Sequence, residues 1–95
     1  MAIVVHIVNT PKTDATEAYE ASWALLDAQN ARHPEGRQSH TAWLVGDVLH
    51  VCDVWDAQEN MDAFMKTIGP VMQESGMTLA GPPEVGQLLK VVRPD

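Results

Sequence analysis

The sequence lacks a second cysteine, and this excludes a disulfide within the chain. Cys52 is the only cysteine, as expected for a reducing compartment, so we predict a cytoplasmic protein. Long apolar runs are also lacking. The opening stretch MAIVVHIV is too short to span a bilayer and has no basic region or cleavage site of a signal peptide. We interpret it as a strand and expect no membrane partner.

Basic residues are scarce, with 6 Lys and Arg against 13 Asp and Glu and a net charge of −7. Nucleic acid and anionic membranes are bound through basic patches, so we expect neither as a partner. Glycine-rich phosphate loops and the ligand spacings HxxxH and CxxC are absent as well. We therefore predict no metal and no nucleotide, flavin or other cofactor.

Repeats, low-complexity segments and long linkers are missing too, so residues 1–95 are expected to form one domain. The stretch that organises the chain runs from Ser39 to Gly76. It contains two alternating runs separated by Gly46-Asp47, a signal for a tight β-hairpin. A two-residue loop places His40 opposite Asp53, at the end of an otherwise apolar face.

The opposite face of this hairpin then carries Trp43 opposite His50 and Thr41 opposite Cys52. The remaining elements follow from periodicity and turn signals. We predict a strand over 2–9, a helix over 14–31 capped by Asp14, and a strand over 85–92. A second helix is predicted from Asp56, with a kink or break at Gly69-Pro70, a further short helix to Ser75 and a left-handed Gly76.

This order is β-α-β-β-α-β, an α+β, ferredoxin-like fold with a four-stranded antiparallel sheet and helices on one face. Two helices can cover only one face of such a sheet. The other face also carries apolar residues, among them Trp43 and Cys52. A second copy of the chain is the simplest cover, so we predict a homodimer packed sheet against sheet.

The run DVWDAQENMDAFM…GPVMQESG resembles the dimeric α+β barrel superfamily, and within it the antibiotic-biosynthesis-monooxygenase-like (ABM-like) group. Members that oxidise aromatic polyketides without a cofactor use an Asn four residues before the Trp, where this chain has Val51. Haem-degrading members use a His on the second helix, where this chain has Phe64 and Met65. The resemblance implies the dimeric barrel fold, and both departures argue against those two activities.

We predict that His40 and Asp53 are catalytic, because a carboxylate beside an imidazole orients it as a general base. The alternative is a structural pair that satisfies two buried polar groups. The residues expected to bind substrate are aromatic, apolar or near the pair: Trp55, Val51, Tyr19, Trp23, Met61, Phe64, Met65 and His6. Each of them has a plain core role as its alternative.

The function predicted from these residues is a small cofactor-independent enzyme acting on an apolar or aromatic molecule. Proton transfer by the His–Asp pair suits an isomerase, a cyclase, a lyase or a monooxygenase-like enzyme. The alternatives are a non-catalytic binder of the same kind of ligand and a purely structural dimer.

Overall fold

The computed structural model describes residues 1–92, so the last three residues of the domain predicted over 1–95 lie outside it. Its elements are β1 (Ile3–Pro11), α1 (Ala15–Ala28), β2 (Arg37–Val45), β3 (Val48–Trp55), α2 (Gln58–Ser75), β4 (Met77–Leu79) and β5 (Glu84–Gln87). The α+β class is confirmed, and the arrangement is consistent with a ferredoxin-like fold.

The sheet is antiparallel, with the strand order β2-β3-β1-β4 and with β5 also paired to β1. Two short segments therefore take the place of the single last strand predicted over 85–92. β4 pairs with the end of β1 and β5 with its beginning. The intervening segment contains Pro82 and Pro83, which cannot donate ladder hydrogen bonds, so pairing is interrupted there.

The hairpin register predicted from the Gly46-Asp47 turn is confirmed. His40 pairs with Asp53, Trp43 with His50, and Leu44 with Leu49. Gly46 has a φ of 62°, the left-handed backbone that such a turn requires. The side chains predicted to share a face therefore do so.

The cap of the first helix is also confirmed, since the Asp14 carboxylate accepts a hydrogen bond from the Glu17 amide. The helix nevertheless ends at Ala28, three residues before the predicted 31. Asn30 adopts a left-handed φ of 55°, which ends the helical path.

Of the kink or break predicted at Gly69-Pro70, the break is wrong, because α2 runs without interruption through Pro70 to Ser75. Pro70 is exposed, so water can solvate the carbonyl that loses its helical donor. Val71 and Phe64 are buried on the same helix, and this packing favours its continuation. The left-handed Gly76 is confirmed with a φ of 85°, whereas the helix starts after Ala57 rather than at Asp56.

The core lies between one face of the sheet and the two helices. Odd-numbered residues of β1 and β3 supply the sheet side, and alternation along the strands explains why they share this face. The buried apolar cluster consists of Val5, Ile7, Ala18, Leu26, Leu49, Val51, Trp55, Met61, Phe64, Val71 and Met77.

The other face of the sheet has no helix over it in residues 1–92. Three rings stack there, with centroids 5.3 Å apart for Trp43 and His50 and 5.9 Å apart for Trp43 and His6. The His6 and His50 nitrogens lie 3.1 Å apart, so they share a hydrogen bond. Trp43 is still 42% exposed, which leaves an apolar surface open.

Neither helix of the described chain has the length and apolarity needed to cross a membrane.

Gly36 fixes the segment that enters β2. Its φ is 85°, and a Cβ at this position would collide with the side chains of Asp56 and Asn60 at the start of α2. The Gly36 carbonyl also accepts a hydrogen bond from the Asp56 amide at 2.9 Å. A larger residue would have to displace this contact.

We therefore expect Gly36→Ala to lower the free energy of unfolding by about 2 kcal/mol, measured by urea denaturation. Gly86→Ala is the control, because a Cβ there meets nothing within 4 Å. It should change stability by less than about 0.5 kcal/mol. Equal effects of the two substitutions would contradict the packing role of Gly36.

Candidate functional site

A buried carboxylate lies at the centre of the candidate site. Asp53 is only 5% exposed and projects from β3 towards the helices. Its Oδ1 lies 2.6 Å from Nδ1 of His40, the residue opposite it on β2. A carboxylate removed from water must be compensated by hydrogen bonds or charge, and His40 supplies the closest partner.

Helix α1 adds a third member to this pair. The Tyr19 hydroxyl lies 2.7 Å from Nε2 of His40, and the two rings are stacked with an interplanar angle of 5°. The cap at Asp14 fixes the start of α1, which places Tyr19 on the turn that faces the hairpin. Sequence analysis had predicted Tyr19 as a wall of the pocket; the structure adds its hydrogen bond to His40.

The hydrogen bonds define the tautomer of a neutral His40. An ionised carboxylate can only accept, so His40 must donate from Nδ1 to Asp53. Its Nε2 is then an acceptor and takes the hydrogen bond donated by Tyr19. The result is a continuous chain from phenol to imidazole to carboxylate, through which a proton can be moved and the resulting imidazolium stabilised.

Arg37 is the charged partner of this chain on its other side. Its Nη1 lies 3.9 Å from Oδ2 of Asp53, and its side chain is 8% exposed. The guanidinium also lies 5.7 Å from the ring centroid of Trp23 and 5.3 Å from that of Phe64. Burial lowers the pKa of the Arg37 guanidinium, and the Asp53 carboxylate opposes that shift.

A β-bulge brings Arg37 to the site. The register of β2 shifts between Arg37 and Ser39, so that Arg37 pairs with Trp55. Simple alternation from His40 would have placed Arg37 on the opposite face of the sheet. Strand alternation alone therefore does not predict an inward-facing Arg37. The sequence feature that could have indicated a β-bulge here is Gly36, because glycine often occurs at bulges.

These side chains border an apolar cavity of about 70 Å³ between the sheet and the helices. Its polar lining comes from Asn9, Tyr19, Ser22, Arg37, His40 and Asp53. Apolar side chains supply the rest: Ile7, Trp23, Leu26, Leu49, Val51, Phe64, Met65, Ile68, Met72 and Met77. An apolar chamber with a few polar groups at its wall is typical of small-molecule sites.

Five of the eight residues predicted to bind substrate line this cavity: Val51, Tyr19, Trp23, Phe64 and Met65. Trp55 does not, because it is completely buried behind Phe64, with ring centroids 5.6 Å apart. Met61 is likewise buried in the core away from the cavity. His6 lies on the opposite face of the sheet, stacked on Trp43 and His50, because even-numbered residues of β1 point away from the helices.

Asn9 is a lining residue that sequence analysis did not single out. It is 4% exposed, and its Oδ1 has no hydrogen-bond partner among the described residues. Strand alternation predicts that Asn9 shares a face with Ile7. It does not predict that the Asn9 Oδ1 lacks a hydrogen-bond partner among the described residues. A donor on a bound molecule would satisfy this oxygen.

Within residues 1–92, no group of three or more His, Cys, Asp or Glu side chains is arranged to hold a metal ion. His50 and Cys52 lie on the sheet face opposite His40 and Asp53, as the hairpin register requires. Burial raises the pKa of the Cys52 thiol, which disfavours the reactive thiolate.

Comparison with protein-family models and with curated protein sequences finds no match. Solved structures do match the fold. SnoaB, a cofactor-independent oxygenase from Streptomyces nogalater, is 14% identical with a TM-score of 0.69, and the match covers 96% of each chain. The structural-genomics protein YJCS is 11% identical with a TM-score of 0.70, over 94% of this chain and all of that one.

A conserved Bacteroides thetaiotaomicron protein of unknown function, described as a possible oxidoreductase, is 19% identical with a TM-score of 0.64. That match covers 92% of this chain and 97% of the other. At such low identities the three comparisons establish a shared fold. What the site of this chain does must be argued from its own residues.

Two Asp–Arg pairs among the described residues allow a matched test of burial. Asp53 and Arg37 are both less than 10% exposed, whereas Asp27 and Arg32 are each about half exposed. We expect Asp53→Asn to lower the free energy of unfolding by about 3 kcal/mol, since it leaves the Arg37 charge uncompensated.

Asp27→Asn should leave the urea midpoint nearly unchanged, because exposed ion pairs contribute little. If both variants unfold at the wild-type midpoint, the Asp53 carboxylate is not required to compensate Arg37.

Proposed function

We propose that this chain is a small, cytoplasmic, cofactor-independent enzyme that removes a proton from an apolar or aromatic molecule. We further propose that it is an ABM-like member of the dimeric α+β barrel superfamily. The observation that carries the proposal is the Tyr19–His40–Asp53 chain at the wall of an apolar cavity. A hydrogen-bonded base of this kind is suited to general base catalysis.

Tyr19 connects the base to the substrate in this mechanism. Because the Tyr19 hydroxyl already donates to Nε2 of His40, a substrate C–H or O–H gives its proton to the Tyr19 oxygen as the proton of Tyr19 passes to His40. The products are a substrate anion, a neutral Tyr19 and an imidazolium held by Asp53. The apolar lining limits water, which strengthens these electrostatic interactions.

The anion can then follow one of two courses. Reprotonation at another atom gives isomerisation or, with bond formation or cleavage, the products of a cyclase or lyase. Reaction of a deprotonated CH₂ group with dioxygen gives a carbonyl group and one molecule of water. The structural likeness to the oxygenase SnoaB favours the second course, although Val51 stands where related oxygenases carry an Asn.

The test uses a probe whose proton loss can be observed directly. Incubation with 2-tetralone, an enolisable aromatic ketone, in D₂O should accelerate the loss of its α-proton NMR signals over buffer. His40→Ala should reduce this rate by about 10². An oxygen electrode run in parallel distinguishes oxygenation from isomerisation.

The Tyr19→Phe variant distinguishes proton transfer through the Tyr19 hydroxyl, the proton relay, from direct removal of the proton by His40. A fall similar to that of His40→Ala supports the relay, whereas a rate equal to wild type assigns the base to His40 alone. Binding of the probe without catalysed exchange in the wild-type protein would favour the non-catalytic alternative.

The homodimer belongs to the same proposal. The sheet face bearing Trp43, His50 and Cys52 leaves apolar surface exposed, including Trp43, and has no helix over it in the described chain. A second copy packed sheet against sheet would cover it and leave the cavity, which lies on the other face, open to ligand.

We expect sedimentation at micromolar concentration to give twice the chain mass. Trp43→Glu should shift the protein towards monomer, because the substitution would bury an unpaired charge. Glu17→Gln, at the exposed start of α1, serves as a control that should remain dimeric. A wild-type monomer would contradict the proposed assembly.

A further inference from the structure

Arg37 has hydrogen-bonding capacity that residues 1–92 do not use. A guanidinium has five N–H donors in a fixed plane. Within that part of the chain, its side chain makes one hydrogen bond, from Nη2 to the Arg32 carbonyl at 2.8 Å. Its contact with Asp53, at 3.9 Å, is an ion pair too long for a direct hydrogen bond.

The carboxylate of Asp53 is shared between two partners. Its Oδ1 is bound to His40 at 2.6 Å, and its Oδ2 lies 3.9 Å from Arg37. Arg37 is therefore a nearly buried cation whose nearest anion is shared with another residue. Such a group gains much from an additional acceptor, because its desolvation is only partly compensated. The lowered pKa of the guanidinium is a second sign of this deficit.

Arg37 lies at the cavity. It lines the cavity together with Tyr19, His40 and Asp53, and its guanidinium lies over the rings of Trp23 and Phe64, 5.7 Å and 5.3 Å from their centroids. Contact with aromatic faces restricts the orientation of the guanidinium plane, and it does not occupy the N–H donors. A planar, held guanidinium is well suited to bind a carboxylate through two parallel hydrogen bonds.

We propose that the cavity is specific for apolar molecules that carry a carboxylate, and that Arg37 binds that carboxylate beside the Tyr19–His40 proton relay. The inference rests on the proposed function, since it names the substrate class of the same cavity. It makes Arg37 a specificity-determining residue. The apolar body of the ligand would occupy the space bordered by Val51, Met65 and Ile68.

The experiment compares benzoate with benzamide, which have the same size and differ in charge. Binding is followed by NMR titration of the full-length protein. We expect benzoate to bind at least about tenfold more tightly than benzamide, as one charge-assisted pair would provide. The Arg37 Nε–H signal should shift with benzoate and not with benzamide, a readout on the wild-type protein that requires no variant.

Arg37→Gln should abolish the preference for benzoate, and Arg37→Lys, which keeps the charge but loses the planar fork, should reduce it several-fold. The matched control is Arg32→Gln. Arg32 also lies over the Trp23 ring, at 4.7 Å, but is exposed and bound to Asp27. This variant should bind benzoate as the wild type does.

The outcomes separate the two proposals. Equal affinity for benzoate and benzamide overturns the carboxylate specificity and leaves the enzyme proposal standing. A preference for benzoate that survives Arg37→Gln, or that disappears in Arg32→Gln, also overturns it. If neither compound binds but 2-tetralone exchange is catalysed, the substrate class is wrong and the proton-transfer site is right. If neither compound binds and no exchange occurs, both proposals fail.

Discussion

The burial of one negative charge determines how the site of this protein is built. The Asp53 carboxylate lies at the boundary between sheet and helices, almost completely removed from water. An isolated carboxylate there would be very unfavourable. Two elements supply its partners: β2 contributes His40 and Arg37, and α1 contributes Tyr19 through His40. The same contacts that stabilise the charge also couple a helix to the hairpin, so structure and candidate chemistry depend on one set of hydrogen bonds.

The histidines of the sheet lie on opposite faces and have different neighbours. His40 faces the helices and is bound to a carboxylate and a phenol. His6 and His50 face the other way and stack on Trp43, with Glu84 3.7 Å from His6 at the sheet edge. Strand alternation alone produces this division. It keeps the cavity apart from the surface that we propose as the dimer contact.

The sequence was sufficient for those features that depend on local rules. A Gly-Asp turn fixes the register, and the register brings His40 to Asp53. Strand alternation likewise accounts for the side chains of β1 and β3 that form the sheet side of the core. Features that depend on tertiary contact were missed: the bulge that turns Arg37 inward, the complete burial of Trp55 behind Phe64, and the unpaired Oδ1 of Asn9. Pro70 shows the same limit, because packing of Val71 and Phe64 outweighs the local preference for a break.

Two short strands, β4 and β5, pair along one side of β1, and this division affects which part of the sheet unfolds first. β1 is held on one side by a continuous ladder with β3, and on the other by two short, separate ladders joined through Pro82 and Pro83. Every residue of β5 is exposed. This strand can detach without disturbing the hairpin or the cavity, so its amide protons should exchange with solvent well before those of β3. We therefore expect local unfolding to begin at this C-terminal edge and to leave the contacts of Asp53 in place.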